Sequence, residues 1–203
     1  AHNPMQAHPA LEFEERKDSF LNWEEVRRME ASGVMHTAAH SLRHDKVFIS
    51  PRYDGFFQPQ KRGRTFDRVR GQILWGLPFF EIEAALAARA FIPSQRLLDA
   101  VAALVPQDKI AAHAFFQNAD NIAALERLVG GFKPEELGAL ESEEAMFKRF
   151  RDEFVLCKER LEAETAAPAR TFCWPWGRFS PLAREAAKQV GFSVFVTTAA
   201  GAN

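Results

Sequence analysis

Gly33-Val-Met-His-Thr-Ala-Ala-His-Ser-Leu-Arg-His44 is the stretch from which the fold is read. Val34 to Ala38 read as a short strand. His40 and His44 follow it, four residues apart, with Ser41 directly after the first. A spacing of four places two imidazoles on one side of a single turn. Neutral imidazoles are good ligands for zinc, cobalt or nickel. A metal site and a pair of solvated surface histidines both fit this spacing. His36 extends the series and is expected inside the strand.

Upstream, Leu21-Asn-Trp-Glu-Glu-Val26 has the form of a helix start. Asn22 is the cap, Glu25 the third helical residue, and Leu21 can staple against Val26. The helix is expected to run to about Ser32, with Gly33 closing it in a left-handed conformation. A second unit of the same kind lies near the other end. Arg170 to Trp174 reads as a buried strand ending in the tight turn Pro175-Trp176-Gly177. Ser180-Pro181 caps a helix whose apolar stripe is Leu182, Ala186 and Val190. Gly191 closes it, and Phe192 to Thr198 read as a strand. Helices leading into strands predict an α/β fold with a parallel sheet or a (β/α) barrel, in which sites form at the carboxyl ends of strands. His40-x-x-x-His44 and Trp174-Pro-Trp-Gly177 both follow predicted strands, which joins them into one expected site.

The middle of the chain is mostly helical in pattern. Pro51, Gly55, Pro59 and Gly63 mark residues 45–70 as loop, with Phe48, Tyr53, Phe56 and Phe57 available to cover a site. Lys61-Arg-Gly-Arg64 with Arg68 and Arg70 is either a solvated basic loop or a contact for an anionic sugar or phosphate. Residues 71–92 are apolar and mixed in period. Leu97, Leu98, Val101, Leu104 and Val105 mark a helix over 94–105, stopped by Pro106. Residues 112–116 are ambiguous. Ile122, Leu125 and Val129 mark a helix ending at Gly130-Gly131, and 134–140 another helical turn. The longest helix is expected over 142–164, with Phe147, Phe150, Phe154, Cys157 and Leu161 as its apolar stripe. Residues 134–164 hold ten acidic and five basic side chains. They read as a solvated outer face, which leaves Glu143, Glu144 and Glu153 weak candidates for chemistry.

The chain has 203 residues, 47% of them hydrophobic, and a formal net charge of −1. That is enough for one sizeable core. The near-zero charge provides no general pull towards nucleic acid or anionic membrane. Nineteen Phe against one Tyr point to an aromatic-rich interior or groove. Cys157 and Cys173 are too few for a framework; a pair is open to them, but they read first as free buried thiols. No apolar run reaches membrane-spanning length and no signal peptide is visible. Ala1 and Thr197-Thr-Ala-Ala-Gly-Ala-Asn203 read as cuts through a longer protein, so compartment is left unassigned.

Two blocks together resemble the polysaccharide deacetylases, the NodB-homology or carbohydrate esterase family 4 group. The first is Phe20-Leu-Asn-Trp-Glu-Glu-Val with Ala31-Ser-Gly-Val and His40-Ser-Leu-Arg-His44, similar to the family's His-Ser/Thr-x-x-His metal motif. The second is Lys158-Glu-Arg-Leu-Glu162 with Phe172-Cys-Trp-Pro-Trp-Gly177, similar to its aromatic-Pro-Tyr-Gly motif. Phe179-Ser-Pro to Thr198 continues that block. About half the chain is covered.

The resemblance implies a distorted (β/α) barrel, incomplete here, as one domain over 1–203 with a mostly helical insertion at about 45–145. It implies hydrolytic N-deacetylation of acetylated amino sugars in a polymer or glycolipid. His40 and His44 would be metal ligands, for zinc first and cobalt or nickel next. The Trp176 amide would stabilise the oxyanion, and Trp174, Pro175, Trp176 and Gly177 would line the sugar groove. The family's Thr-Phe-Asp-Asp-Gly motif has no match in residues 1–20. Thr65-Phe-Asp67 has its first three letters but lies after the histidines and lacks the second Asp, and reads as a coincidence. The late His of the family would fall beyond Asn203, and Trp174 and Trp176 replace the motif's Arg and Tyr. Two further readings stand beside this one: a non-catalytic relative that binds carbohydrate or a partner, and an interaction module with structural histidines. A parallel sheet lacking an inner strand is expected to pair with another segment or chain.

Overall fold

The computed structural model describes residues 21–59 and 68–199. In chain order the elements are α1 (Trp23–Ala31), β1 (Asp45–Phe56), β2 (Arg68–Val69), β3 (Pro78–Ala84) and β4 (Phe91–Pro93). Then come α2 (Gln95–Leu104), α3 (Lys109–Phe116), α4 (Ala119–Gly130), α5 (Pro134–Leu137) and β5 (Gly138–Leu140). Last are α6 (Glu143–Thr165), β6 (Thr171–Cys173), a 3-10 turn (Pro175–Gly177), α7 (Pro181–Val190) and β7 (Val194–Val196). They divide into two units. One joins the described residues up to His44 with those from Glu144 onward, and the other is Asp45–Glu143. Among the described residues there is no closed barrel, and no helix is long and apolar enough to cross a membrane.

In the first unit, α1 starts as its sequence dictates. The Asn22 side chain accepts the Glu25 N–H at 2.8 Å, and Glu25 accepts the Asn22 N–H at 2.8 Å. This reciprocal pair satisfies two of the donors that a helix start leaves over. Gly33, at φ 71°, follows Ser32, which caps the other end. Arg27 ties α1 to the end of α6 through the Glu164 carbonyl at 3.0 Å.

The strand expected over 34–38 is reduced to one parallel bridge, Ala39 to Phe172. The Glu30 carboxylate accepts both the N–H and the hydroxyl of Thr37, so that segment's pairing donor is already taken. His36 is correspondingly exposed beside Glu30 at 3.3 Å, not inside a strand. At Ala39 the ladder begins: its N–H bonds the Thr171 carbonyl at 3.0 Å, and Cys173 N–H bonds the Ala39 carbonyl at 2.7 Å. β6 then pairs in parallel with β7, Phe172 opposite Phe195. The β6–α7–β7 unit is capped as read: Ser180 accepts the Ala183 N–H, Pro181 is first in the helix, and Gly191 sits left-handed after it.

α6 packs on this small sheet. Met146, Phe150, Phe154 and Cys157 are its buried residues. They form an i, i+4, i+8, i+11 stripe, with Met146 taking the place expected of Phe147. Phe154, Phe172 and Phe192 are fully buried and meet edge to face at 5.0–6.2 Å.

The turn after α6 is held by Glu162, which accepts from Lys158 and from the Ala169 N–H. The Lys158 bond, then the Ala169 bond, hold this carboxyl below the usual range. A lowered folded pKa contributes stability above pH 4.5 that is lost as pH falls through the folded value. Thermal melts from pH 7 to about pH 3 are therefore expected to show a decline below pH 4.5 that is shallower in Glu162→Gln. Parallel declines in both proteins would remove this carboxylate from the account.

In the second unit, residues 45–56 correct the loop reading. They form the twelve-residue β1, central in the sheet β2-β1-β3. The ladder to β3 runs Lys46↔Ala84 to Phe48↔Ile82, then shifts before Tyr53↔Phe80 and again before Phe56↔Pro78. Pro51 and Gly55 lie inside those irregularities, where a missing N–H and a φ of 77° are tolerated. At Pro51 and Gly55 the loop signals were irregularities within a strand. The core collects Phe48, Phe56, Phe80 and Phe91 from the strands and Leu77 just before β3, with Leu97, Val101, Leu125 and Val129 from α2 and α4 and Val105 just after α2. The aromatics at 48 and 56 are thus buried in this unit's own core instead of covering a site. Among the described residues, the insertion expected to be mostly helical contains five strands beside its four helices. The Lys61–Arg64 run and Thr65-Phe-Asp67 lie outside the described residues.

Candidate functional site

The segment leaving the Ala39 bridge turns sharply. Ser41 has φ 61° and His44 φ 54°, and Trp176, in the turn after β6, also has φ 54°. The left-handed region is uncommon for residues with a Cβ. Three of the four such non-glycine residues among those described meet at one place. Clusters of this kind persist where surrounding contacts over-determine the backbone, and they concentrate at functional sites.

Those contacts are specific. Ser41 Oγ accepts the His44 N–H at 2.8 Å, so the residue between the motif's histidines closes its own turn. Glu153 Oε1, from α6, accepts the Leu42 N–H at 2.7 Å. His40 Nδ1 lies 3.0 Å from the Cys173 carbonyl oxygen. A carbonyl only accepts, so Nδ1 carries the proton and Nε2 of the neutral ring is the bare nitrogen. That tautomer leaves Nε2 available to a metal, with the other nitrogen held by a backbone carbonyl, as is common for metal-binding histidines. The two imidazole centroids are 4.9 Å apart, and His44 packs on the Trp176 ring at 3.9 Å. His40 is exposed and His44 and Trp176 half-buried.

The geometry unites His40, His44, Trp176 and the Pro175–Gly177 turn, and places Trp174 elsewhere. Trp174 is 2% exposed, with its faces stacked on Phe179 at 4.7 Å and Phe195 at 5.5 Å. The ring surface expected to receive a sugar is occupied by two phenylalanines. Its position directly after β6 explains this: Phe172 and Trp174 are two apart, and both are buried. Trp174 Nε1 is buried with no hydrogen-bond partner among the described residues. Gly177 and Arg178 donate their N–H groups within the turn, to the carbonyls of Trp174 and Pro175 at 2.8 and 3.0 Å.

Two imidazoles with this orientation fit a divalent metal as part of its shell. Among the described residues no group of three His, Cys, Asp or Glu forms a complete set. Cys157 stays a protonated thiol at neutral pH. Burial pushes it up to about 11, the Glu153 charge adds to this, and a hydrogen bond from the His40 backbone partly offsets it.

In sequence Glu153 reads as part of an acidic outer face, whereas in the structure it is half-buried and holds the Leu42 N–H. Its place was legible in one respect. It lies three after Phe150 and four before Cys157, on the flank of the buried stripe.

The sequence matches no protein-family model and no curated protein. Solved structures do resemble it. A de-N-acetylase from Aggregatibacter actinomycetemcomitans superposes with TM-score 0.49 at 16% identity, covering 89% of this chain and 42% of that one. The BpsB deacetylase domain from Bordetella bronchiseptica superposes with TM-score 0.51 at 16% identity, covering 91% of this chain and 44% of that one. The latter likeness is one of fold: the chain has a deacetylase-like α/β fold. It spans less than half the length of either structure.

Proposed function

We propose that this chain carries part of the active site of a metal-dependent hydrolase that removes N-acetyl groups from amino sugars in a polysaccharide or glycolipid. The observation that supports this most directly is the His40–His44 pair, with His40 locked into the metal-binding tautomer by the Cys173 carbonyl. The deacetylase-like fold agrees with it.

His40 through Nε2, and His44, would hold the metal. When bound, zinc, or cobalt or nickel in its place, supplies Lewis-acid polarisation of the acetamide and a water activated near neutral pH. The remaining work falls to the protein. Ser41 and the Cys173 carbonyl orient the imidazoles. The Trp176 ring shields one side of His44 from water, which strengthens electrostatic interactions there. The Trp176 N–H is assigned to the developing oxyanion, since donors fixed in a rigid turn stabilise charge without reorganising. Pro175 and Gly177 shape that turn, and Trp174 supports it from the core. The chemistry also requires a third ligand and a general base.

Cobalt titration followed by visible absorption tests the reading, with His40→Ala and His44→Ala alongside. The wild-type chain is expected to develop a ligand-field spectrum that both variants lose. Cobalt binding that survives both substitutions would overturn the assignment of the ligands. Binding of acetylated chito-oligosaccharides by a chain that takes up no cobalt would move the reading to a non-catalytic carbohydrate-binding relative.

A further inference from the structure

We propose that Glu153 is a positioning residue for the metal loop. Its carboxylate clamps the main chain between the two histidines and so sets their affinity for a divalent cation. The consequence for affinity rests on the metal reading above, whereas the clamp itself rests on geometry alone.

Leu42 lies between Ser41 and His44, and both of those are left-handed. A loop bent twice against its backbone preference relaxes unless something holds it. Ser41 Oγ closes the loop on itself at His44 N–H, but that bond would move with the loop as a body. Glu153 supplies an anchor outside it, 111 residues away in sequence, at 2.7 Å from the Leu42 nitrogen. The anchor is rigid because α6 buries Phe150, Phe154 and Cys157 on either side of position 153. The Cys173 carbonyl fixes the His40 ring from β6. Ring and loop are thus pinned from two elements that share one core, Phe154 packing on Phe172 at 5.0 Å. A carboxylate acceptor makes a stronger bond to an amide than a neutral one. Half-burial of the Glu153 side chain limits competition from water.

The test reads the clamp and the affinity separately. Amide hydrogen exchange is measured by NMR on the intact chain for wild type, Glu153→Ala, Glu153→Gln and Glu159→Ala. The last removes the same charge from an exposed site on α6. The Ala39 N–H, bonded to the Thr171 carbonyl, serves as an internal reference.

In Glu153→Ala the Leu42 amide is expected to exchange about tenfold faster or more. Ala39 should stay unchanged. Cobalt affinity should fall about tenfold, as for loss of other groups that orient metal ligands. Glu153→Gln keeps an acceptor and should retain most of both, and Glu159→Ala should match wild type. If Glu153→Ala does not fold, Glu153→Asp, which shortens the reach by one methylene, is read the same way. Unchanged Leu42 protection in the Ala or Asp variant overturns the clamp. Lost protection with unchanged cobalt affinity, where His40→Ala abolishes binding, overturns its role in setting affinity. A wild-type chain that takes up no cobalt sinks the metal reading instead, and the exchange data still decide the clamp.

Discussion

Replacing Phe154 with alanine is expected to cost about 3–5 kcal/mol of stability. Phe154 has no exposed surface. Its ring meets Phe172, Trp174 and Phe192 at 5.0, 5.9 and 6.2 Å, each close to perpendicular or edge-on. Edge-to-face pairs add to the transfer term. The cavity has little means of closing. Phe172 is fixed by β6 pairing on both sides, to Ala39 and to β7. Phe192 is fixed through its N–H, which bonds the Ala187 carbonyl at 3.1 Å. Urea denaturation followed by tryptophan fluorescence provides the measurement. For a slope of about 2 kcal/mol/M, the midpoint should drop by about 2 M with the slope unchanged. Phe147→Ala, at a half-buried position outside the stripe, should cost clearly less. Equal costs for the two would mean that this aromatic cluster is not the core of its unit.

The second large effect is expected from Gly177→Ala. Gly177 has φ 67°, a conformation that costs an L-residue about 1–2 kcal/mol. A Cβ there would also stand 2.8 Å from the Thr198 nitrogen and press on the Thr198 hydroxyl. Overpacking of this kind adds about 1–3 kcal/mol. The turn cannot move aside freely, because Gly177 N–H is bonded to the Trp174 carbonyl and Trp174 N–H to the Val196 carbonyl, at 2.8 and 3.0 Å. Whatever shifts, Trp176 shifts with it, and its ring leaves His44. A lowered melting temperature should therefore come with a changed cobalt spectrum. Gly177→Ala combined with Thr198→Ala should recover only part of the stability, since the main-chain nitrogen remains in the way. Full recovery would place the whole conflict in the Thr198 side chain.

Much of the first unit could be read from local pattern. Asn22 and Glu25, Ser180 and Pro181, Gly191, and the Phe150–Phe154–Cys157 stripe each act within four residues of themselves, and each is where it was expected. The His40–His44 pair and the Pro-Trp-Gly turn were legible for the same reason. The strand at 34–38 failed because Glu30 competes for the Thr37 donor, a contact that propensity does not register. The strand at 45–56 was hidden because Pro51 and Gly55 signal a loop unless a partner strand absorbs them as bulges. Trp174 was placed in a groove because a tryptophan beside a Pro-Gly turn fits an exposed rim as well as a core. Only the neighbours Phe179 and Phe195 distinguish the two.

The order of residues thus sets the caps, the helical stripes, the left-handed stops and the identity of the two imidazoles, since these depend on spacing along one chain segment. Folding settles which backbone groups find partners and which ring faces are covered. His40 reaches Cys173 across 133 residues, and Leu42 reaches Glu153 across 111. Such pairs have no period and no local signal. They exist because burying the α6 stripe against β6 brings a carbonyl and a carboxylate to a loop that neither adjoins in sequence.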